Sequence, residues 1–403
     1  MKINIKGHIR DLLAFRNLVP ARRKRIAKAP AQLVDTGKMN KLAKKLHPTL
    51  QSLIITDVRN ETHTVKTFRL APDPDSDTRE LAYFRAGQYL SLKVELNGSI
   101  ITRPYSISSA PFESLGADGF YEVTIQKRKD GFFTPYLWDN WAVGSKIQSS
   151  GPCGEFYHEP LRDSSKIVGL AGGCGITPFC SMAKEIVHGN MDAQLLLLYG
   201  SNDKDEIIYK DLFKELEQEV TEKIKVVHVL NCDEIPSEGC EQGFITASLI
   251  EKYADIDNSS FFICGPQAMY EFVMKELDVF GLPRKRIRRE VFGEPGEITG
   301  APGYPKEMAE KVFKLIVHIG DHIIEIQAQA NETVLVAMER SGLAPPSQCR
   351  SGECGVCHSL LLSGDVYVHP ECDGRRAADL QYGYIHPCAS YPITNLEISV
   401  PRG

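Results

Sequence analysis

Four cysteines near the C-terminus have the spacing of ligands for an iron–sulfur cluster. Cys349, Cys354 and Cys357 lie within nine residues of one another, and Cys388 follows after thirty intervening residues. The pattern C-x4-C-x2-C…C suits a [2Fe–2S] centre, because a compact loop can present three thiolates and a later turn can bring the fourth. Such a centre moves one electron at a time, so the rest of the chain should contain a source of electrons.

The residues between these cysteines are expected to adjust the centre. Gly352 and Gly355 allow backbone N–H groups to approach the sulfurs, and Arg350 and Ser351 are candidates for further donors. Contacts of this kind tune the reduction potential. Cys372 lies between the third and fourth ligands and is most simply a non-ligand.

A second candidate site is the segment Arg103-Pro104-Tyr105-Ser106, at the end of a predicted strand. A flavin needs an aromatic surface, hydrogen bonds to its ring edge and cations for its phosphates. Tyr105 can lie along the ring system, Ser106 can donate near the reactive ring nitrogen, and the Arg103 fork suits two phosphate oxygens. The alternative interpretation is an ordinary strand with a polar edge.

A later segment favours the flavin interpretation. Gly131 precedes Phe132, Phe133 and Thr134, and the next residue is a proline. We predict that Thr134 caps a helix with this proline in its first turn, and a helix start offers free N–H groups to an anion. A tight turn over residues 151–156 then closes the domain.

A glycine-rich turn is the third candidate site. It contains Gly172, Gly173 and Gly175, follows an apolar predicted strand directly, and leads into Thr177 and Pro178. Glycine allows a bound dinucleotide to approach the backbone, and Thr177 and Pro178 are predicted as the cap and first residue of a helix whose positive end faces phosphates. The Rossmann fingerprint is absent, because Pro178 occupies the position of its third glycine.

A further motif, Cys264-Gly265-Pro266, ends another predicted strand. Ligands of an open α/β sheet bind beyond the carboxyl ends of its strands. Cys264 should therefore point into the same crevice as Gly173. The alternative is a buried structural cysteine.

The elements that must position these motifs differ along the chain. Alternating apolar and polar residues predict antiparallel barrel strands at residues 52–56, 64–70, 89–95 and 121–126. Asn97-Gly98 is a hairpin signal between two such runs. Strongly apolar strands are predicted at 167–171, 194–199, 224–230 and 261–264, and helices at 179–187, 206–220, 246–253 and 267–280. This alternation indicates a parallel sheet covered on both faces.

Length and composition are those of a soluble protein with two to four domains. The chain has 403 residues, of which 42% are hydrophobic and 25% charged. No apolar stretch is long enough for a transmembrane helix, and no secretory signal is expected. The eleven cysteines are odd in number and scattered, which favours a cytoplasmic, reducing compartment.

Residues 1–48 form a basic leader, with thirteen Lys or Arg against two acids. It is either a solvated tail or a helix packed on the first domain. It could instead dock to an acidic partner or an anionic membrane surface. Nucleic-acid binding is disfavoured, because few aromatic residues lie between the charges.

Taken together, residues 52–293 resemble the ferredoxin–NADP reductase superfamily, and residues 312–403 resemble plant-type ferredoxins. The landmarks are the segments 103–106, 151–156, 172–178, 199–201 and 264–266. The resemblance implies an antiparallel β-barrel for a flavin, an α/β parallel sheet for a nicotinamide cofactor, and a β-grasp ferredoxin-like α+β domain. The expected boundaries are 1–50 for the extension, 51–160, 161–295, a linker at 296–310, and 311–403 for the cluster domain.

The resemblance also assigns residues to cofactors. It gives Arg103, Pro104, Tyr105, Ser106, Ile125, Lys127, Phe132, Phe133, Thr134 and Phe292 to a flavin, and the pyrophosphate loop marks it as FAD. It gives Gly172, Gly173, Gly175, Thr177, Pro178, Ser201, Cys264, Gly265 and Pro266 to the nicotinamide cofactor. Ser106 and Cys264 become the candidate catalytic residues.

The choice of nicotinamide cofactor depends on the loop at 201–206. It reads Ser-Asn-Asp-Lys-Asp-Glu, whereas relatives that prefer NADP often have arginine nearby for the 2′-phosphate. Acidic residues disfavour that phosphate, so NADH is expected, with Lys204 as the opposing feature.

The implied function is an electron relay. Hydride passes from NADH to FAD, and single electrons pass to the [2Fe–2S] centre and then to a downstream redox protein or a terminal oxygenase or hydroxylase. Two alternatives remain: a self-sufficient flavoenzyme that reduces a small molecule, and a subunit of a membrane-associated redox complex anchored by the leader.

Overall fold

The computed structural model describes residues 9–29, 37–96, 98–129, 131, 133–231, 240–294 and 298–401. Residues 1–46 form one compact unit and residues 47–403 another. The first unit contains two helices, α1 (Ile9–Lys28) and α2 (Lys38–Leu46). Within the described ranges, no helix is both long and apolar enough to cross a bilayer.

An antiparallel sheet begins the second unit, as predicted. Its elements are β1 (Gln51–Asn60), β2 (Val65–Pro72), β3 (Tyr89–Leu96), β4 (Ser99–Ser106), β5 (Tyr121–Gln126), α3 (Phe133–Asn140) and β6 (Lys146–Ser149). The strand order is β4-β3-β6-β1-β2-β5. Ile107, directly after β4, forms a bridge with Val123 of β5, so the first and last strands meet and the sheet curls into a barrel.

The predicted hairpin joins β3 to β4. Leu96 pairs with Ser99, which leaves a two-residue turn, and Gly98 has a φ of 79° that glycine adopts without strain. Asn97 lies outside the described residues. Apolar side chains from every strand of this sheet form one core with Phe133 and Leu137 of α3.

A parallel sheet follows, also as predicted. Its elements are β7 (Lys166–Gly172), α4 (Thr177–His188), β8 (Gln194–Ser201), α5 (Lys210–Glu219), β9 (Ile224–Leu230), β10 (Cys240–Gln242), α6 (Ala247–Tyr253), β11 (Ser259–Cys264), α7 (Gln267–Asp278) and β12 (Ile287–Glu290). The order is β10-β9-β8-β7-β11-β12. Alternate residues of β7 enter different cores: Ile167 packs with α4 and α5, and Val168 packs with α6 and α7. Helices therefore cover both faces.

One predicted helix starts later than expected. The pattern over 206–220 predicted a continuous helix, but α5 begins at Lys210. Tyr209 has a φ of 60°, which is left-handed and cannot continue a right-handed helix. A separate 3-10 turn, Lys204–Glu206, precedes it.

The C-terminal region combines a mixed sheet with short helices. Its elements are β13 (Val312–Ile319), β14 (His322–Gln329), α8 (Val334–Arg340), β15 (Ser359–Ser363), β16 (Val366–Val368), α9 (Ala377–Gln381), β17 (Tyr384–Ile385), β18 (Ser390–Pro392) and β19 (Leu396–Val400). The main sheet has the order β14-β13-β19-β15-β17, and β16 pairs with β18. α8 shares a core with Cys357 and Cys388, so folding of this region fixes two of the predicted ligands.

Candidate functional site

One cavity of about 480 Å³ collects most of the predicted cofactor-binding residues. It lies where the end of β4, the start of α3, and the carboxyl ends of β7, β11 and β12 come together. The predicted residues that line it are Arg103, Pro104, Tyr105, Ser106, Phe133, Thr134, Gly172, Gly175, Thr177, Cys264, Gly265, Pro266 and Phe292. Motifs separated by almost two hundred residues in sequence thus share one crevice.

Five predicted residues lie elsewhere among the described residues. Ile125 is buried in the barrel core, and Lys127 pairs with Asp139 at 3.2 Å. Gly173 and Pro178 lie where β7 passes into α4, and Ser201 ends β8. Phe132 lies outside the described residues.

Both predicted helix caps are wrong by one or two positions. α4 begins at Thr177 itself, and the Thr177 hydroxyl donates to the Cys174 carbonyl oxygen. The reason is that a 3-10 turn, Gly173–Ile176, runs directly into the helix. α3 begins at Phe133, and the Thr134 hydroxyl oxygen accepts from the backbone N–H of Arg128.

Arg103 is the central cation of the cavity. Its guanidinium donates to the Thr102 carbonyl oxygen at 3.0 Å, lies 4.0 Å from a Glu339 oxygen and faces the Phe133 ring at 5.3 Å. Burial lowers the pKa of Arg103, and the nearby charge of Arg350 lowers it further. A diphosphate would add an anionic partner for Arg103 inside the cavity, so the residues present fit FAD.

Arg128 also lines the cavity, and the sequence analysis missed it. Gln126 and Arg128 both face the cavity, whereas Lys127 between them turns to Asp139. Residues two apart in an extended segment share a face. The signal for Arg128 was therefore present in the sequence, because Arg128 shares a face with Gln126.

Glu290 is a second residue that the sequence analysis did not identify. It ends β12, and its carboxylate accepts a hydrogen bond from the Ser106 hydroxyl at 2.7 Å. Burial raises the pKa of this carboxyl group to about 8, although the Ser106 hydrogen bond opposes the shift. Glu290 can therefore hold a proton at neutral pH inside the cavity. Its position at the carboxyl end of a strand was the available signal.

Cys264 points into the crevice, as predicted. β11 pairs in parallel with β7, with Cys264 opposite Ala171. Burial raises the pKa of the Cys264 thiol, and the charge of Glu290 adds to the effect. The thiol therefore remains protonated, which suits a residue that shapes the crevice rather than a nucleophile.

The glycines of the two turns allow the turns to pack against each other. A Cβ atom on Gly175 would lie 2.0 Å from the Cys264 carbonyl oxygen, and one on Gly265 would lie 3.3 Å from the backbone nitrogen of Gly172. Glycine permits this close approach because it has no side chain. The turns after β7 and β11 thus form one continuous wall of the cavity.

The four predicted cluster ligands converge in the C-terminal region. The sulfur atoms of Cys357 and Cys388 are 3.4 Å apart. Hydrogen bonds from the side chains of Cys354 and then Cys388 lower the pKa of Cys349. Three of the four thiols are buried, and Cys354 is partly exposed.

Backbone donors surround these sulfurs. The N–H groups of Ser351 and Cys354 point to the Cys349 sulfur at 3.5 and 3.4 Å, and that of Gly352 points to the Cys388 sulfur at 3.3 Å. Such donors stabilise thiolates more than thiols. The donor set therefore fits a cysteine-ligated [2Fe–2S] cluster.

The side chain of Arg350 binds carboxylates rather than the cysteine sulfurs. Its guanidinium is fully buried and donates to both oxygens of Glu339, at 2.5 and 2.9 Å, and also to Glu294. It also reaches the carbonyl oxygen of Thr102, in β4, at 3.3 Å. Arg350 has a φ of 61°, which turns it away from the cysteine loop. One side chain thus links the barrel, the segment after β12 and α8.

The cavity and the cysteine loop are in direct contact. Gly293 lines the cavity, and its backbone N–H donates to the carbonyl oxygen of Cys349 at 3.3 Å. The neighbouring Phe292 ring packs edge-on against Tyr89, with centroids 5.0 Å apart. A single hydrogen bond therefore joins the cavity wall to a cluster ligand.

Side-chain hydrogen bonds hold the acidic loop after β8 together. The Asp203 carboxylate accepts from the N–H groups of Asp205, at 2.8 Å, and Glu206, at 3.1 Å. Asn202 donates to the Glu206 carboxylate at 2.8 Å. These contacts hold two carboxylates at the carboxyl end of a parallel strand, where a nucleotide would bind.

Comparison with known families assigns a domain to each of the three regions. Residues 52–158 match an oxidoreductase FAD-binding domain, residues 170–275 an oxidoreductase NAD-binding domain, and residues 317–392 a 2Fe-2S iron-sulfur cluster binding domain. The order agrees with the resemblance inferred from the sequence.

Individual relatives match most of the chain. The ferredoxin reductase component of 3-ketosteroid-9-alpha-monooxygenase from Rhodococcus rhodochrous is 28% identical, over 85% of this chain and 94% of its own length. The glycine betaine monooxygenase reductase subunit from Chromohalobacter salexigens is 27% identical, over 85% and 93%. Among solved structures, phthalate dioxygenase reductase has a TM-score of 0.61 and 23% identity, over 87% of this chain and 98% of that one, and so shares the fold.

Proposed function

Because the chain belongs to the ferredoxin-reductase type of oxidoreductase, with FAD-binding, NAD-binding and [2Fe–2S] domains in one polypeptide, we propose that it is the reductase component of a two-component oxygenase or hydroxylase. The observation that supports this most strongly is the hydrogen bond from Gly293 to Cys349. It joins the wall of the proposed flavin cavity to Cys349, a predicted cluster ligand, and this proximity is what an internal electron path needs.

The proposed chemistry is carried by the cofactors. When bound, FAD accepts a hydride from a reduced nicotinamide, and a [2Fe–2S] cluster carries single electrons. We assign Arg103 and Arg128 to the diphosphate and Tyr105 to the ring, because all three side chains line the cavity. The chain itself needs no nucleophile for this reaction, and its main task is positioning.

Ser106 and Glu290 form the polar pair of the proposed site. The 2.7 Å hydrogen bond between them fixes the Ser106 hydroxyl. Burial raises the pKa of Glu290 to about 8, so its carboxyl group keeps a proton at neutral pH. Cys264, which is paired with Glu290 across the neighbouring strands, adds a protonated thiol to the same wall. The proposed role of this pair is to present a hydrogen-bond donor inside the cavity while excluding water.

We further propose NADH as the preferred donor. Asp203 and Glu206 are held at the end of β8, and a 2′-phosphate would meet their negative charge. Lys204 is exposed in the same loop. A ratio of kcat/KM for NADH over NADPH above one supports the assignment, and the inverse ratio contradicts it.

The domain limits of 51–160, 161–295 and 311–403, with a linker at 296–310, remain predictions, as does the cytoplasmic location. Residues 295–297 lie outside the described residues. Limited proteolysis with mass spectrometry of the fragments would test the limits.

The proposed electron transfer from FAD to the cluster is tested by removing one predicted cluster ligand. Cys354→Ser should abolish the visible absorption of the cluster and cytochrome c reduction, because one thiolate is lost, while NADH-to-ferricyanide turnover persists. Cys372→Ser is the matched control, since Cys372 is a nearby non-ligand whose carbonyl lies against Gly352. It should keep both activities. Loss of both activities in folded Cys354→Ser protein would contradict a linear relay.

A further inference from the structure

The two helices that precede the barrel combine positive charge with exposed apolar side chains. α1 contains seven Lys or Arg and one acid, and α2 contains four Lys and no acid. All nine residues of α2 are exposed. These residues precede the FAD-binding match, which begins at residue 52, so the proposed electron path does not explain them.

α2 is amphipathic. Met39, Leu42 and Leu46 are spaced three and four residues apart, so they share one face of the helix. Their exposed fractions are 75%, 48% and 38%. Lys41 and Lys44 lie on the opposite face. An isolated helix of this length gains little stability in water, so a partner that covers the apolar face would stabilise it.

α1 has a second apolar stripe. Phe15, Val19 and Ile26 lie within a narrow arc of the helix and are 70%, 59% and 63% exposed. Arg22 and Arg23 flank this stripe on either side. Long basic side chains in this position can extend to phosphates while the apolar residues enter a less polar layer.

The positive charge and the exposed apolar stripes together indicate which kind of partner binds these helices. Charge complementarity requires an anionic surface, and the apolar stripes require an adjacent apolar layer. An anionic bilayer offers both within a few ångströms, in the plane in which a helix can lie. We propose that helices α1 and α2 form a binding surface for anionic phospholipid membranes. The inference concerns where the reductase is held and does not depend on its electron acceptor.

The direct test is flotation of the full-length holoprotein with vesicles. We expect flotation with phosphatidylcholine vesicles that contain phosphatidylglycerol, and none with phosphatidylcholine alone. Binding should weaken strongly near 1 M salt, where the screening length is about 3 Å. Absence of flotation with the anionic vesicles at low salt would overturn the proposal.

Two variants separate the contributions of charge and apolar area. Replacing Lys38, Lys41 and Lys44 together with Gln should lower the partition coefficient on the order of 100-fold, since each basic residue contributes about fivefold. Replacing Met39, Leu42 and Leu46 together with Ser keeps every charge and should lower it at least tenfold.

The control removes the same charge elsewhere. Lys223, Lys252 and Lys314 are exposed lysines in the second unit, and their joint replacement by Gln should leave flotation unchanged. NADH-to-ferricyanide turnover should persist in every variant and reports correct folding. If the serine variant floats like the wild type, the apolar side chains do not contribute and the proposal fails. If a polyglutamate peptide binds the leader while anionic vesicles do not, the surface recognises an acidic protein and the proposal also fails.

Discussion

Glu294→Gln is the change that best tests the coupling between the cavity and the cluster domain. Glu294 lies just after β12, and its carboxylate meets the fully buried guanidinium of Arg350. Arg350 also binds Glu339 of α8 and the Thr102 carbonyl oxygen of β4. Replacement with Gln keeps the size of the side chain and removes one charge from this group.

The expected cost follows from the burial of the group. Arg350 and Arg103 would be left to share Glu339, which is 2.5 Å from the first and 4.0 Å from the second. Breaking a buried ion pair costs about 3–5 kcal/mol. Glu294 is 22% exposed and the amide oxygen of Gln still accepts a hydrogen bond, so we expect about 2 kcal/mol. That loss lowers the equilibrium constant for docking of the cluster domain roughly thirtyfold.

The assay compares two electron acceptors in the same protein. Cytochrome c reduction, which needs the cluster, should fall, by at most roughly thirtyfold, because fewer molecules hold the cluster against the cavity wall. Ferricyanide reduction and the visible spectrum of the cluster should stay near wild-type values. Chemical denaturation measures the loss in unfolding free energy.

Glu332→Gln is the matched control. Glu332 pairs with Arg340 at 2.6 Å, but both residues belong to the C-terminal region and Arg340 is 47% exposed. An exposed pair contributes about 0–1 kcal/mol, so this variant should reduce cytochrome c normally. The reasoning is refuted if the two variants reduce cytochrome c equally well, or if Glu294→Gln loses both activities together.

Three further predictions concern the cavity, the acidic loop and the domain contact. Burial raises the pKa of Glu290 from 4.5 to about 8, so this carboxyl group ionises in the unfolded chain before it ionises in the folded protein as the pH rises. Between about pH 5 and 8, the unfolding free energy of the wild type should therefore fall by on the order of 4 kcal/mol more than that of Glu290→Gln. Parallel pH profiles of the two proteins in denaturation experiments would contradict this. Glu206→Arg should raise kcat/KM for NADPH about fivefold, since it places a cation beside the 2′-phosphate, and an unchanged ratio to NADH would count against the assigned loop. Tyr209→Phe removes the hydroxyl that meets Thr124 of β5 and should cost about 1–2 kcal/mol of unfolding free energy, whereas no measurable loss would show that this contact is not stabilising.

Periodicity and turn chemistry were sufficient to predict the antiparallel and parallel sheets, whereas the sheet of the C-terminal region was expected only from the resemblance to plant-type ferredoxins. The strand at 121–126 and the strand at 224–230 have the predicted bounds. The spacing of the cysteines predicted that the four side chains lie close together, and the structure has contacts of Cys349 with Cys354 and Cys388 and of Cys357 with Cys388, while their role as ligands stays a prediction. These features are local, so a single sequence contains them.

Contacts between distant segments could not be predicted in the same way. Nothing near Glu290 in sequence indicates that Ser106 will donate to it, because the pair forms only when β4 and β12 meet. Arg350 was expected beside the sulfurs, but its left-handed backbone turns the side chain to Glu339. The helix caps were misplaced because a 3-10 turn before α4 has no clear sequence signature.

The uneven shielding of the four cysteines has a consequence for how the reductase meets its surroundings. Cys349, Cys357 and Cys388 are enclosed by protein, whereas Cys354 alone of the four is partly open to solvent. We therefore expect an acceptor to approach the predicted cluster through this opening, with a footprint that includes the surface around Cys354. Dissolved oxygen would reach the reduced cluster through the same opening. A bound partner that covers it would therefore also reduce the loss of electrons to oxygen.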